Sequence, residues 1–158
     1  MPDLREAVVC APLRTPVGRL GGALASVPAL DLATTVLEAL LERTGLDPAA
    51  IDGVVAAQGY PTTEAPAIGR VAALDAGFPV TTTGYQLDRR CGSGLQAVLN
   101  AAMEVQTGAA DAVVALGVES MSTAPLYTVE GRRGVGGAGL MLHDALSRGR
   151  TTVGGRRF

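Results

Sequence analysis

Residues 81–108 read TTTGYQLDRRCGSGLQAVLNAAMEVQTG. Thr81 to Leu87 reads as a strand, the apolar run from Leu95 to Val105 reads as a helix, and Gly108 is its stop. Between them Cys91 sits at the mouth of the helix, followed by Gly92, Ser93 and Gly94. A thiol attacks only as the thiolate, and a helix N-terminus is one of the few places that favours that form without a neighbouring charge. Glycines at a helix start cost stability, and the reason expected here is a substrate lying against bare backbone. Ser93 is small and can bond backbone near the helix start.

Working outward, the same alternation repeats. Ala7 to Ala11 is a short apolar run closed by Pro12 and suits a buried strand. From Asp31 the period changes: Leu32, Val36, Leu37, Leu40 and Leu41 share a helical face, and Gly45 ends it. Asp47 before Pro48 reads as an N-cap and a first-turn proline. Gly53 to Ala57 is a second buried strand, Glu64 to Ala76 a helix packing through Ile68, Val71, Ala72 and Leu74, and Ala112 to Leu116 a fourth strand. Met103 and the aliphatic residues of the Cys91 helix are expected in the core. Strands alternating with helices predict a layered α/β domain, a mixed central sheet covered by helices on both faces.

At 158 residues the chain can bury a substantial core. Hydrophobic residues at 47% exclude a disordered chain, and aromatics at 3% make the core aliphatic. The 13 basic residues, all arginine, nearly balance 15 acidic ones, so no strong field argues for nucleic acid or a membrane surface as partner. Two cysteines make no disulfide framework. The N-terminus lacks the layout of a signal peptide and no apolar run approaches a membrane span, so a cytoplasmic protein is expected.

After Pro125 the character shifts. Residues 131–139 read GRRGVGGAG and the last eleven read RGRTTVGGRRF, which is loop chain rather than a closing element. The expected organisation is an α/β core over residues 1–122 and the incomplete start of a glycine-rich loop region over residues 123–158.

Four segments together resemble the N-terminal half of a thiolase: Val8-Val9 through Arg14-Thr15-Pro16 to Gly18 and Gly22; Gly59 with Arg70 and Ala76-Gly77; Cys91-Gly92-Ser93-Gly94-Leu95-Gln96-Ala97; and Gly117-Val118-Glu119-Ser120-Met121-Ser122, with Ala124-Pro125 after it. The resemblance implies an acyl-CoA acyltransferase of fatty acid metabolism, with coenzyme A thioesters as substrates and no permanently bound cofactor. Cys91 would attack the thioester carbonyl to give an acyl-enzyme, its own N–H helping to hold the oxyanion. The acyl group would then pass to coenzyme A, or condense with a second acetyl-CoA.

Two departures stand out. Thiolases usually carry Asn where this chain has Asp88, a carboxylate that would disfavour the thiolate unless Arg89 or Arg90 neutralises it. The histidine base and second cysteine of the family belong to a second half that these residues do not include. The alternative is therefore a non-catalytic fragment, or a subunit of a split enzyme that acts through assembly with a complementary half. A homo-oligomer is the other expected association. A decarboxylating condensing enzyme shares the cysteine-at-helix logic, but the segments around Arg14 and Met121 favour a thiolase.

Cys10 is expected as core filler. His143 does not match the family's catalytic histidine, and a surface helix position is expected for it. Glu119 could exchange protons, yet a carboxylate after a buried strand is expected to be tied up in loop hydrogen bonds. Arg132, Arg133 and the C-terminal arginines could meet phosphates, with a flexible loop and a solvated tail the default. No His, Cys and carboxylate cluster has metal-ligand spacing.

Overall fold

The computed structural model describes residues 4–137, 139–152 and 154–157. Three five-residue strands, β1 (Gly53–Ala57), β2 (Thr83–Leu87) and β3 (Val113–Gly117), form a sheet in the order β2-β1-β3. Both pairings are parallel and in register, Gly53 lying opposite Thr83 on one side and Val113 on the other. The layered α/β class is as expected. These three strands are parallel rather than mixed because a helix crosses over between each consecutive pair.

The covering helices are α1 (Ala29–Thr44) and α2 (Ile68–Asp75) on one face and α3 (Ser93–Thr107) on the other. In the central strand, Val54 and Ala56 meet α1 and α2, while Val55 and Ala57 meet Ala97 of α3. All five β1 residues are buried, which is why it reads as an unbroken apolar run. Leu37 of α1 and Ile68 of α2 are fully buried in the first layer. Each such side chain contributes about 1.5–3 kcal/mol. Gly69 lets α2 lie against the sheet: a Cβ there would stand 2.9 Å from the carbonyl oxygens of Val54 and Tyr85. Asp47 Oδ1 accepts the Ala49 N–H at 2.9 Å, capping a short 3-10 turn, and Gly45 and Gly108 end α1 and α3 in left-handed conformations.

Several expectations are corrected. Residues 7–11 form no strand. The segment is anchored at its start, where the Arg5 N–H donates to Gln106 O and its guanidinium pairs with Asp111, but among the described residues no strand pairs with 7–11, and Ala11 at φ +50° ends the run. Val8, Val9 and Cys10 are exposed, so Cys10 is not core filler. The helix expected from Glu64 begins only at Ile68, because Pro66 and the left-handed Ala67 precede it, and Leu74 points outward. In α3 only Ser93, Ala97 and Ala101 are buried, whereas Leu95, Leu99 and Met103 are exposed. Small residues face the sheet because they permit close approach, which leaves the large ones outside.

Beyond the sheet, β4 (Leu126–Tyr127) and β5 (His143–Asp144) form an antiparallel pair followed by one turn of helix, α4 (Ala145–Arg148). His143 is thus a strand residue rather than a helical one, since Asp144 is the N-cap of α4 and accepts the Leu146 N–H at 2.8 Å. Among the described residues no helix is long and apolar enough to cross a membrane.

Candidate functional site

Parallel strands end at one edge, so the loops after β1, β2 and β3 gather there, the usual ligand side of such a sheet. Cys91 lies in the loop after β2, in a 3-10 turn (Arg90–Gly92) that leads directly into α3, and it is exposed. Ser93 organises this entry. Its hydroxyl accepts the Arg89 N–H at 2.6 Å and donates to Arg90 O at 2.7 Å, the backbone role the sequence implied. A Cβ at Gly94 would have no neighbour within 4 Å, so nothing in this chain's own packing requires glycine there.

The loop after β3 reaches back to the loop after β1. Glu119 Oε2 accepts the N–H groups of Gly59 at 2.8 Å and Tyr60 at 3.1 Å, so the carboxylate is engaged with loop backbone as expected. Burial pushes the Glu119 carboxyl above its ordinary range, against those backbone bonds, which lower it. The same loop holds the segment before α1: Ser122 Oγ accepts the Gly21 N–H and Ser120 Oγ donates to Val27 O, both at 3.0 Å. All four motif segments are therefore represented at or beside this edge. Arg70, from the second, is not in the cluster; it braces the carbonyls of Val80 and Thr82 at the start of β2.

Asp88, the departure from Asn, is neutralised by Arg90 and not by Arg89. The Arg90 guanidinium lies 3.2 Å from Asp88 Oδ2, whereas Arg89 donates to Gln96 Oε1. Arg90 also donates to Gly59 O and stands 5.7 Å over the Tyr60 ring. The sequence reading named Gly59 in the second motif segment but gave neither it nor Tyr60 this role. Their position directly after a buried parallel strand was the available signal. A cleft of about 570 Å³ opens beside this cluster, with Tyr60, Thr62, Arg90, Tyr127 and Arg148 in its walls.

His143 is mostly buried against Tyr127, the ring centroids 5.8 Å apart, with Nε2 3.9 Å from Glu130 Oε1. Among the described residues no hydrogen bond or ion pair joins it to Cys91. No group of three His, Cys, Asp or Glu side chains among them could hold a metal ion.

A parallel α/β layer with an exposed cysteine leading into a helix at its C-terminal edge defines the class: an α/β domain equipped with a candidate thiol nucleophile. Residues 7–152 match the family described as thiolase, N-terminal domain, and the chain belongs to the thiolase family. It is 41% identical over 147 residues to an acetyl-CoA acetyltransferase of Chromobacterium violaceum, covering 90% of this chain and 38% of that protein. It is 36% identical over 131 residues to a probable acetyl-CoA acyltransferase of Staphylococcus aureus, covering 83% and 33%. Among solved structures it resembles the acetyl-CoA acetyltransferase of Bacillus anthracis, with a TM-score of 0.83, 38% identity and coverage of 89% and 36%. A thiolase from Ascaris suum in complex with coenzyme A gives 0.79, 29% identity, and coverage of 89% and 36%. The chain spans about a third of the length of the curated relatives it matches.

Proposed function

We propose that this chain carries the acyl-accepting half of a thiolase-type acyl-CoA acyltransferase, with Cys91 as the nucleophile. The observation that carries the reading is the placement of Cys91: exposed, one 3-10 turn ahead of a fifteen-residue helix, at the edge where three loops converge. The thiolate would add to the thioester carbonyl carbon, and collapse of the adduct would expel the coenzyme A thiolate and leave an acyl-cysteine. The N–H groups of Gly92 and Ser93 are engaged by the carbonyls of Arg89 and Arg90, so the donor proposed for a developing oxyanion is the N–H of Cys91 itself. Thiolysis would start from a 3-ketoacyl-CoA: the thiolate adds to the 3-keto carbon, the C2–C3 bond breaks and a general acid protonates C2 to release acetyl-CoA, and the acyl-cysteine then passes its acyl group to a coenzyme A thiolate. Condensation instead requires a base to deprotonate a second acetyl-CoA, and no described contact equips Cys91 with one. The open space at Gly94 supports an acyl or pantetheine group lying against backbone there.

A second reading is favoured by α3. Leu95, Leu99 and Met103 form an exposed apolar stripe at 68%, 46% and 50% relative exposure on the Cys91 helix itself. On this reading the chain works by assembly with a partner that supplies the C-terminal half, covers the stripe and brings the acid/base group.

Intact-mass spectrometry after incubation with acetyl-CoA and acetoacetyl-CoA separates the two. An acetyl adduct that disappears in Cys91→Ser supports a nucleophile working within this chain. Folded protein without an adduct contradicts that and leaves the assembly reading.

A further inference from the structure

Arg90 holds a backbone conformation that an arginine adopts at a cost. Its φ is +51°, in the left-handed region, and only Ala11 and Ala67 share that feature among the described non-glycine residues. Such strain persists only where the surroundings over-determine it. Here they do. The Arg90 N–H donates to Asp88 Oδ1 at 2.8 Å, and its carbonyl accepts the Ser93 hydroxyl at 2.7 Å. Its guanidinium pairs with Asp88 Oδ2, donates to Gly59 O and covers the Tyr60 ring. The Gly59–Tyr60 turn is in turn held by the Glu119 carboxylate through both of its N–H groups. Loops from all three strands therefore converge on the one residue that precedes the thiol.

We infer that Arg90 is a positioning residue for Cys91, latched by Asp88 and by the turn that Glu119 holds. This rests on the reading of Cys91 as the nucleophile, but it concerns how this particular chain presents the thiol. The latch is built on Asp88, the position where the chain departs from its family's usual Asn. The aspartate takes both halves of the job: one carboxylate oxygen fixes the strained N–H, the other fixes the guanidinium. The pairing also keeps the Asp88 charge compensated beside a group that attacks as an anion. Glu119 acts one step further back, through the turn and then through Arg90.

The test is the rate of iodoacetamide alkylation of Cys91, measured with thermal stability in a Cys10→Ser background because Cys10 is also exposed. Arg90→Gly relieves the φ strain, so a residue serving only the turn would leave the alkylation rate untouched. The latch predicts alkylation slower on the order of fivefold, the equivalent of the roughly 1 kcal/mol of an exposed ion pair, with the melting temperature unchanged or raised. Glu119→Ala is expected to slow the reaction similarly, and Glu119→Gln, which keeps an acceptor oxygen, to react like the parent. Because Glu119 works through Arg90, the Arg90→Gly/Glu119→Ala double variant is no slower than Arg90→Gly alone. An Arg90→Gly rate equal to or above the parent's overturns the inference. So do additive losses in the double variant, or a Glu119→Gln rate as low as that of Glu119→Ala. The Glu119 pair keeps the test decisive should Arg90→Gly not fold. Alkylation needs no coenzyme A contact, so a chain that passes here and forms no acetyl adduct would refute the proposed activity while leaving the latch standing.

Discussion

The two helical layers of this small sheet are built to different ends. On one face α1 and α2 bring Leu37, Ile68, Ala72 and Ala73 into a buried cluster with Val54 and Ala56. On the other, α3 approaches through Ala97 and Ala101 and turns Leu95, Leu99 and Met103 outward. All three helices are amphipathic, but the first layer hides its large side chains apart from Leu74, whereas the second exposes them. Small residues sit where α3 meets the sheet and large ones face outward, the arrangement on which the proposed assembly rests. Cys91 belongs to that second layer.

The largest effect that could break the comparison comes from the large residues themselves. Leu37→Ala should cost about 2–5 kcal/mol in urea unfolding. Met103→Ala, on the same scale of truncation, should stay within about 0.5 kcal/mol in the chain alone. Equal losses would mean that the layers are not different.

Next come the glycines. Gly69→Ala drives a Cβ into the sheet backbone and should cost about 1–3 kcal/mol. Gly94→Ala meets open space and should stabilise the chain by about 0.5–1 kcal/mol while slowing acetylation of Cys91. A stability loss there would show that Gly94 serves packing rather than a ligand.

The loop that joins the layers offers a finer test. Glu119→Ala leaves two half-buried N–H groups without their acceptor and should cost about 1–3 kcal/mol, whereas Glu119→Gln should not. Burial raises the Glu119 carboxyl, so its contribution to stability is present in full below its unfolded value. That contribution is lost as pH rises through the higher folded one. Asp52 runs the other way. It accepts the N–H groups of Asp111 and Ala112, which lower its carboxyl, so its contribution is present at neutral pH and lost on acidification through the folded value. Urea midpoints across pH 3–7 should show Glu119→Gln and Asp52→Asn changing the profile in opposite directions.

The contrast between layers also explains what was legible in the sequence. Gly53 to Ala57 reads correctly because a strand buried on both faces is apolar at every position. The ends of α1 and α3 read correctly because Gly45 and Gly108 supply the left-handed stops. The outward face of α3 was not legible, since an apolar periodicity says that a face will be covered and not by what. Ala7 to Ala11 has a strand's composition, but composition does not supply the neighbour that a strand must pair with. At the site, the placement of Cys91 at the entry to α3 and the engagement of Glu119 were readable. The pairing of Asp88 with Arg90 left two arginines open, because the choice depends on where the turn after β1 lies.

Sedimentation velocity over a range of concentrations, comparing the parent chain with Leu95→Glu/Leu99→Glu/Met103→Glu, tests the central difference between the layers most directly. The account predicts that the parent associates as its concentration rises and that the substituted chain, equally folded, remains a monomer. A parent that stays monomeric throughout, indistinguishable from the variant, would contradict the claim that the Cys91 layer is built to be covered.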